Sequence, residues 1–195
     1  IDLKGMRKIF SQRRSEFWVS LITALMVVFV GVEQGILLAI VLSLIDHTRR
    51  GYRPKNAVLV PAESGVWRAQ PVATKAQAIP GLLIYRFTHS LYYANSQQLS
   101  EEILDLVNSA EPPLRWFCLD AAAVDDVDYT AAETLRSLFG ILKEKGIRLV
   151  VAQVLNDLKA ESRYHLSQLF GEDAFYETLG DVMKAYRQQM GMEAK

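Results

Sequence analysis

The chain has 195 residues, of which 50% are hydrophobic, and its 22 basic and 22 acidic residues give a formal net charge of zero. This balance provides no basis for a nucleic-acid-binding surface, so nucleic acid is not expected as a partner. The one cysteine, Cys118, excludes an intrachain disulfide and predicts a reduced, cytosolic environment for the part of the chain that surrounds it.

Two uncharged apolar segments lie near the start of the chain, at Phe17–Val32 and Ile36–Ile45. Each is shorter than the roughly 20 apolar residues that a membrane-spanning helix needs. They form either one long tilted helix, with Glu33 near the middle of the bilayer, or a short helical hairpin with its turn at Gly31–Gly35 and Glu33 at the tip. A charged group at the bilayer centre costs roughly 2.5–3.5 kcal/mol, which disfavours the single helix.

Basic residues flank this apolar region on both sides. They are Arg7, Lys8, Arg13 and Arg14 before it and His47, Arg49, Arg50, Arg53 and Lys55 after it. Because cytoplasmic flanks of membrane segments are enriched in Lys and Arg, both flanks are predicted to be cytoplasmic, which only a hairpin allows. Segments this short are expected to need packing against further membrane helices. We therefore predict a membrane-associated segment over residues 1–50, followed by a basic stretch at the lipid headgroups.

Residues 51–195 have the composition of a soluble α/β domain. The predicted strands are Ala57–Val60, Val66–Val72, Leu82–Phe87, Trp116–Leu119 and Ile147–Val154, the first two as an antiparallel pair. Apolar residues at helical spacing predict helices at Asn95–Val107, Thr130–Lys145, Asp157–Phe170 and Thr178–Met190. These elements predict a mixed sheet of four or five strands with about four helices.

Three of these helices begin with a candidate capping box, in which two side chains satisfy free backbone amides reciprocally. The pairs are Asn95 with Gln98, Thr130 with Glu133 and Thr178 with Asp181. The sequence therefore predicts a polar side chain as the N-cap of each helix.

Three sequence blocks, in order along the chain, carry a family resemblance. The blocks are SEFWVSLITALMVVFVGVEQGILLAIVLSLI, PGLLIYRFTHSLYYANSQQL and WFCLDAAAVDDVDYTAAETL. The first resembles the last pair of membrane helices of sulfate permease (SulP) transporters. The second resembles their strand that leads into an aromatic-Ala-Asn turn, here Tyr93-Ala94-Asn95, and the third resembles the strand, loop and helix start of a STAS domain. The resemblance implies a short transmembrane hairpin followed by a cytoplasmic STAS domain.

The same resemblance implies the C-terminal portion of a secondary-active transporter for inorganic anions such as sulfate or bicarbonate, in a plasma membrane or bacterial inner membrane. The anion would be bound by upstream membrane helices that this chain does not contain. The full protein would be a homodimer, and its STAS domain would regulate transport or assembly, with a regulatory protein as a further partner. Neither an enzymatic activity nor a cofactor is expected.

The loop after the strand Trp116–Leu119 contains the candidate regulatory residues. They are Asp120, Asp125, Asp126, Asp128, Tyr129 and Thr130. In related anti-sigma-factor antagonists, a hydroxyl residue within Asp-Ser-Ser-Gly is phosphorylated, and Thr130 occupies the matching position here. A phosphate on Thr130 would interact favourably with the helix dipole, but the neighbouring aspartates would repel it. The alternative role for the Thr130 hydroxyl is to cap the helix.

Two other functions depend on the same region. Carboxylates at the end of a parallel strand can hold Mg²⁺, so Asp120, Asp125, Asp126 and Asp128 could serve a membrane-anchored, metal-dependent phosphoryl-transfer enzyme. No glycine-rich phosphate loop or zinc-ligand spacing accompanies them. Alternatively, exposed side chains at Leu91–Tyr93, or the loop after Asp120, could form a docking surface for a partner protein.

Overall fold

The chain divides into two compact units, Ile1–Arg53 and Pro54–Lys195, here called the hairpin unit and the sheet unit. The computed structural model describes residues 10, 14–51, 55–62, 65–154 and 170–191. Each unit is built from different elements and has a different distribution of apolar side chains.

The described residues of the hairpin unit include two long helices, α1 (Arg14–Phe29) and α2 (Val32–Gly51). A turn of two residues connects them, and its Gly31 has φ +146°, a backbone conformation that favours glycine. Gly35 is buried within α2, and a Cβ at this position would lie 2.3 Å from Cγ2 of Val27. The two helices approach each other closely here because Gly35 has no side chain.

The predicted hairpin turn at Gly31–Gly35 is therefore too long. Gly31 completes the reversal with Val30, so α2 already begins at Val32, and Gly35 lies inside the helix. Glu33 lies in the first turn of α2 with its side chain exposed. Among the described residues, no helix combines the length and the apolar character that crossing a membrane requires.

The sheet unit is built on one mixed sheet of six strands. They are β1 (Ala57–Pro61), β2 (Trp67–Pro71), β3 (Leu82–Arg86), β4 (Trp116–Asp120), β5 (Arg148–Ala152) and β6 (Phe175–Tyr176), in the spatial order β2-β1-β3-β4-β5-β6. Strand β1 is antiparallel to both neighbours, as predicted for the first pair, whereas β3 to β6 are parallel. Two short 3₁₀ helices, Val72–Thr74 and Glu172–Ala174, accompany them.

The prediction of a sheet with four or five strands was wrong by one strand. The missed strand, β6, has only two residues, too few to show an alternating pattern, and pairs with β5 through Val151 and Ala152. The helix predicted over Asp157–Phe170 lies outside the described residues except for its last residue.

Within the described ranges, three helices cover the sheet: α3 (Tyr93–Asn108), α4 (Tyr129–Glu144) and α5 (Leu179–Gln189). Helices α3 and α4 pack on one face, where their leucines and isoleucine meet alternate side chains of β3 to β5 such as Leu83, Phe117 and Leu149. Helix α5 packs on the other face against Trp116 and Cys118. Residues of β4 are buried on both faces, which confirms the interpretation of its continuous apolar run.

A polar network attaches α3 to the antiparallel side of the sheet. Glu102 Oε2 accepts hydrogen bonds from Tyr85 Oη at 2.6 Å and from Asn56 Nδ2 at 2.9 Å, and Glu102 Oε1 accepts one from Gln98 Nε2 at 2.6 Å. Burial, and then the Glu102 carboxylate, raise the pKa of the Tyr85 hydroxyl well above its usual range. The network fixes α3, and with it the loop from which α3 starts.

The helix starts agree with prediction at one of three positions. Thr178 and Asp181 form the predicted capping box of α5, since Asp181 N donates to Thr178 Oγ1 at 3.1 Å and Thr178 N donates to Asp181 Oδ2 at 3.2 Å. The predicted box of Asn95 with Gln98 is wrong, because α3 begins two residues earlier and Asn95 lies within its first turn, where its Oδ1 accepts from Tyr92 N. The third box belongs to the candidate site.

Candidate regulatory site at the carboxyl edge of the sheet

Two loops lie side by side where β3 and β4 end. Residues 87–92 connect β3 to α3, and residues 121–128 connect β4 to α4. An isolated parallel bridge joins them, in which Leu91 N donates to the Asp126 carbonyl and Asp128 N donates to the Leu91 carbonyl, both at 2.9 Å. The adjacent parallel strands place these loops together, and we call them the paired loops.

Asp120, the first candidate residue, lies beneath the paired loops. Its side chain is completely buried at the end of β4, and its Oδ2 is 2.6 Å from Nε of Arg86, the residue beside it in register on β3. Its Oδ1 accepts a hydrogen bond from Ala122 N at 3.1 Å. The guanidinium compensates a carboxylate that would otherwise be costly to bury, and the pair fixes the start of the second loop.

Asp125 and Asp126 connect the second loop to the first. Ser90 Oγ donates a hydrogen bond to Asp125 Oδ1, and Tyr92 Oη donates one to Asp126 Oδ2 at 3.1 Å. Asp126 Oδ1 also accepts from Val127 N at 2.9 Å. The exposed carboxylates therefore hold the two loops together.

Asp128 caps one helix and contacts the start of another. It precedes α4 with an extended backbone conformation, and its Oδ1 accepts from Ala131 N at 2.8 Å. Its Oδ2 accepts from Tyr93 N, at the start of α3, at 2.7 Å. One carboxylate therefore satisfies a free amide at each of two neighbouring helix N-termini.

The predicted capping box of Thr130 with Glu133 is wrong, because Asp128 occupies the N-cap position. Thr130 is the second residue of α4, it is exposed, and its carbonyl oxygen accepts a hydrogen bond from Thr134 Oγ1 at 3.0 Å. Glu133 pairs instead with Arg136, one turn further along the helix. The Thr130 hydroxyl is thus available at the surface and is not used as the N-cap.

The four aspartates do not form a metal site. Asp120 is directed to Arg86, and the other three are directed to different donors of the first loop and of α4. In the described part of the chain, no three His, Cys, Asp or Glu side chains are grouped closely enough to hold a metal ion. The geometry therefore gives no support to a metal-dependent phosphoryl-transfer centre in this loop.

Arg86 and Ser90 were missed by the sequence reasoning. Arg86 could have been found, because both β3 and β4 are runs of four buried residues closed by a charge, and parallel pairing brings Arg86 beside Asp120. Ser90 carries no comparable signal. The predicted docking segment at Leu91–Tyr93 is partly wrong, since Leu91 is buried in the core, although Tyr92 and Tyr93 are exposed as expected.

Comparison with known proteins identifies the sheet unit. The family model described as STAS domain matches residues 73–182, a range that includes β3 to β6 and the paired loops. A protein of Mycobacterium tuberculosis named "Probable sulfate transporter" is 33% identical over 97% of this chain and 34% of its own length. Sulfate transporter 1.2 of Arabidopsis thaliana is 27% identical over 95% of this chain and 30% of its own length. The chain thus spans about a third of the curated relatives that it matches.

The fold has a close counterpart among solved structures. A structure of the murine solute carrier 26 family member A9 anion transporter, in its inward-facing state, superposes with a TM-score of 0.79 at 14% identity. The match covers 95% of this chain and 31% of that protein. At this level of identity the likeness concerns the fold alone. From the family match and the sequence similarity together, the chain belongs to the STAS domain family and is related to the STAS-bearing part of SulP-type sulfate transporters.

Proposed function

We propose that the chain is the C-terminal portion of a secondary-active transporter for an inorganic anion of the sulfate or bicarbonate type, with a non-catalytic STAS domain that regulates transport or assembly. One observation carries this proposal: the similarity to sulfate transporters extends over 97% of the chain and so includes the hairpin unit as well as the STAS domain. The anion would be bound by membrane helices upstream of this chain. The complete protein would be a homodimer, as the SulP resemblance implies.

The hairpin unit would form the last two membrane segments. Large apolar side chains cover the outside of α1 and α2, among them Trp18, Leu25, Phe29, Leu37 and Leu44. Such surfaces are stable when lipid tails or other membrane helices cover them, and the basic residues on both flanks favour the cytoplasmic side for both ends. Residues 51–195 would then lie in the cytoplasm, beneath a plasma membrane or bacterial inner membrane.

Regulation would act through the paired loops at Thr130. Its exposed position in the first turn of α4 makes it accessible to a kinase, and a phosphate there would compete with Asp128 for the free amides of that turn. Displacing Asp128 would also release the amide of Tyr93 at the start of α3. A phosphate on Thr130 would therefore change the hydrogen bonds at the start of both α3 and α4, although the charges of Asp125 and Asp126 would repel it.

The test is uptake of radiolabelled sulfate and bicarbonate into vesicles that contain the full-length parent protein. Three variants are compared with it: a truncation after Arg50, Thr130→Glu, and Ser137→Glu as a control that adds the same charge to an exposed position later in α4. We expect anion uptake by the parent, changed uptake in the first two variants and parental uptake in Ser137→Glu.

Other results of the uptake experiment would contradict different parts of the proposal. Absence of anion uptake by the intact protein would overturn the transporter assignment. Parental uptake in both the truncation and Thr130→Glu would leave transport in place but remove the regulatory role. Equal effects of Thr130→Glu and Ser137→Glu would show that charge anywhere on α4 is sufficient, which contradicts a specific role for Thr130.

A further inference from the structure

Three exposed tyrosines, here called the tyrosine patch, lie where the paired loops lead into α3 and α4. Tyr92, Tyr93 and Tyr129 are 41%, 74% and 64% exposed, and Val66 is the only other large hydrophobic residue exposed among the described residues of this unit. Val66 lies near the β1–β2 turn, at the opposite edge of the sheet. Tyrosine is enriched in protein interfaces because it combines a large apolar ring with a polar end.

The backbone of this tyrosine patch is held in place before any partner arrives. Tyr93 and Tyr129 are the first residues of α3 and α4, and Asp128, which directly precedes Tyr129, accepts a hydrogen bond from Tyr93 N at 2.7 Å. Tyr92 is attached to the second loop through Asp126. A surface that is already ordered loses little conformational entropy on binding.

The charges around the tyrosine patch select the chemistry of its partner. Asp125, Asp126 and Asp128 contribute three negative charges, whereas the N-termini of α3 and α4 contribute roughly half a positive charge each. The sum is about two negative charges, since Asp120 is compensated by Arg86 and His89 is counted as neutral. This field repels phosphate and attracts cations, although a helix N-terminus alone would favour an anion.

We propose that the tyrosine patch, together with the carboxylates of Asp125 and Asp126, is a docking surface for an arginine-containing segment of a partner protein. Guanidinium groups stack on aromatic rings and donate paired hydrogen bonds to carboxylates, which ammonium groups do less well. Arginine is therefore preferred over lysine. The surface is formed by the sheet unit itself, so this inference does not depend on transport activity.

The test measures binding of a fluorescein-labelled peptide of nine alternating arginine and glycine residues to the full chain in detergent micelles, by fluorescence anisotropy. Peptides with lysine, serine or glutamate in place of arginine serve as comparators. We expect the arginine peptide to bind most tightly, the lysine peptide more weakly, and the glutamate peptide not at all. Affinity for the arginine peptide should fall as salt is raised.

Variants locate the binding surface. The double substitution Tyr93→Ala with Tyr129→Ala should weaken binding about tenfold, because two stacking contacts are lost, whereas Tyr129→Phe, which keeps the ring, should retain most of it. Asp126→Asn should weaken binding and reduce its salt dependence. Val66→Ala and Glu144→Gln, both exposed at the opposite edge of the sheet, are the matched controls and should bind like the parent chain.

Three results would overturn the proposal. The first two are parental affinity in the double tyrosine variant and similar binding of the arginine and glutamate peptides. Equal losses in the controls would also contradict it, because binding would then depend on the overall charge of the chain. None of these results would bear on anion uptake, so the docking surface and the transporter assignment can fail separately.

Discussion

The hairpin unit and the sheet unit use similar apolar residues in opposite ways. In the hairpin, Val28 and Phe29 at the end of α1 are 72% and 79% exposed, whereas all four apolar and aromatic residues of Leu82–Tyr85 in β3 are completely buried. A six-stranded sheet with helices on both faces removes its own apolar side chains from water. The two helices α1 and α2 do not do so by themselves, and large apolar side chains remain exposed on their outer surface.

The largest expected difference in stability is between substitutions of Trp116 in the sheet unit and Trp18 in the hairpin unit. Trp116 is buried between the sheet and α5, with its ring 5.6 Å from that of Tyr186, so Trp116→Ala should lower the free energy of unfolding of the sheet unit by about 3–5 kcal/mol. Trp18 is 54% exposed, and Trp18→Ala should change the free energy of unfolding of the hairpin unit by less than about 0.5 kcal/mol. Proteolysis of the full chain across a urea series measures both, and equal losses would contradict the comparison.

Two glycines test helix packing in each unit. Gly35→Ala places a methyl group 2.3 Å from Val27 Cγ2 and should destabilise the α1–α2 contact by about 1–3 kcal/mol. Gly140→Ala in α4 meets no atom within 4 Å and should stabilise the sheet unit by about 0.5–1 kcal/mol, because alanine favours the helix. Pulsed EPR distances between spin labels on α1 and α2 measure the effect of Gly35→Ala on helix packing. Urea unfolding measures the effect of Gly140→Ala on the stability of the sheet unit. An unchanged distance distribution in Gly35→Ala would show that the helices do not depend on this close approach.

A smaller effect separates the two residues that compete as the cap of α4. Asp128→Ala should cost about 1–2 kcal/mol and accelerate hydrogen exchange at the amides of Tyr93 and Ala131, which lose their acceptor. Thr130→Ala should change stability by less than about 0.5 kcal/mol. Amide hydrogen exchange followed by NMR distinguishes the two variants. Faster exchange at the amide of Ala131 in Thr130→Ala would show that Thr130, rather than Asp128, is the N-cap of α4.

The smallest effect on stability is expected from the titration of Cys118. Burial, and then the charge of Asp120, raise the pKa of its thiol well above the ordinary value of 9.0. Because the folded-state pKa is the higher one, the thiol favours the folded state below pH 9.0, and this contribution is lost as the pH rises through the folded pKa. Labelling with iodoacetamide at pH 9 should be slow in the folded chain and fast in guanidinium chloride. Equal rates would show that the sheet is open at β4.

Prediction from the sequence succeeded where a pattern was local. The apolar runs of β3 to β5, the helical spacing of Leu135, Leu138 and Leu142, and the Thr178–Asp181 cap all involve residues close together in the chain. It failed at the start of α4, where Thr130 and Asp128 are both plausible caps. Asp128 takes the position because it also accepts from Tyr93 N, 35 residues away, and no local pattern records that contact.

The candidate site was predicted in composition but not in arrangement. All the named aspartates lie on or beneath the paired loops, yet a carboxylate cluster suggested convergence on one ion, whereas each side chain is directed to a different donor. Apart from the nearby amides of the second loop and of α4, the donors come from β3, the loop after it and the start of α3, which are distant in sequence. Only the parallel pairing of β3 with β4 brings them into contact.

Fold class, the order of the elements and the family could be predicted from the sequence alone, because they depend on periodicity, turn residues and motif blocks that follow one another along the chain. The fold established which carboxylate caps a helix, which one is neutralised by arginine, and that three exposed tyrosines lie at the carboxyl edge of the sheet. Those outcomes depend on hydrogen bonds and strand register between segments about 35 residues apart, whose partners are set by packing rather than by local sequence.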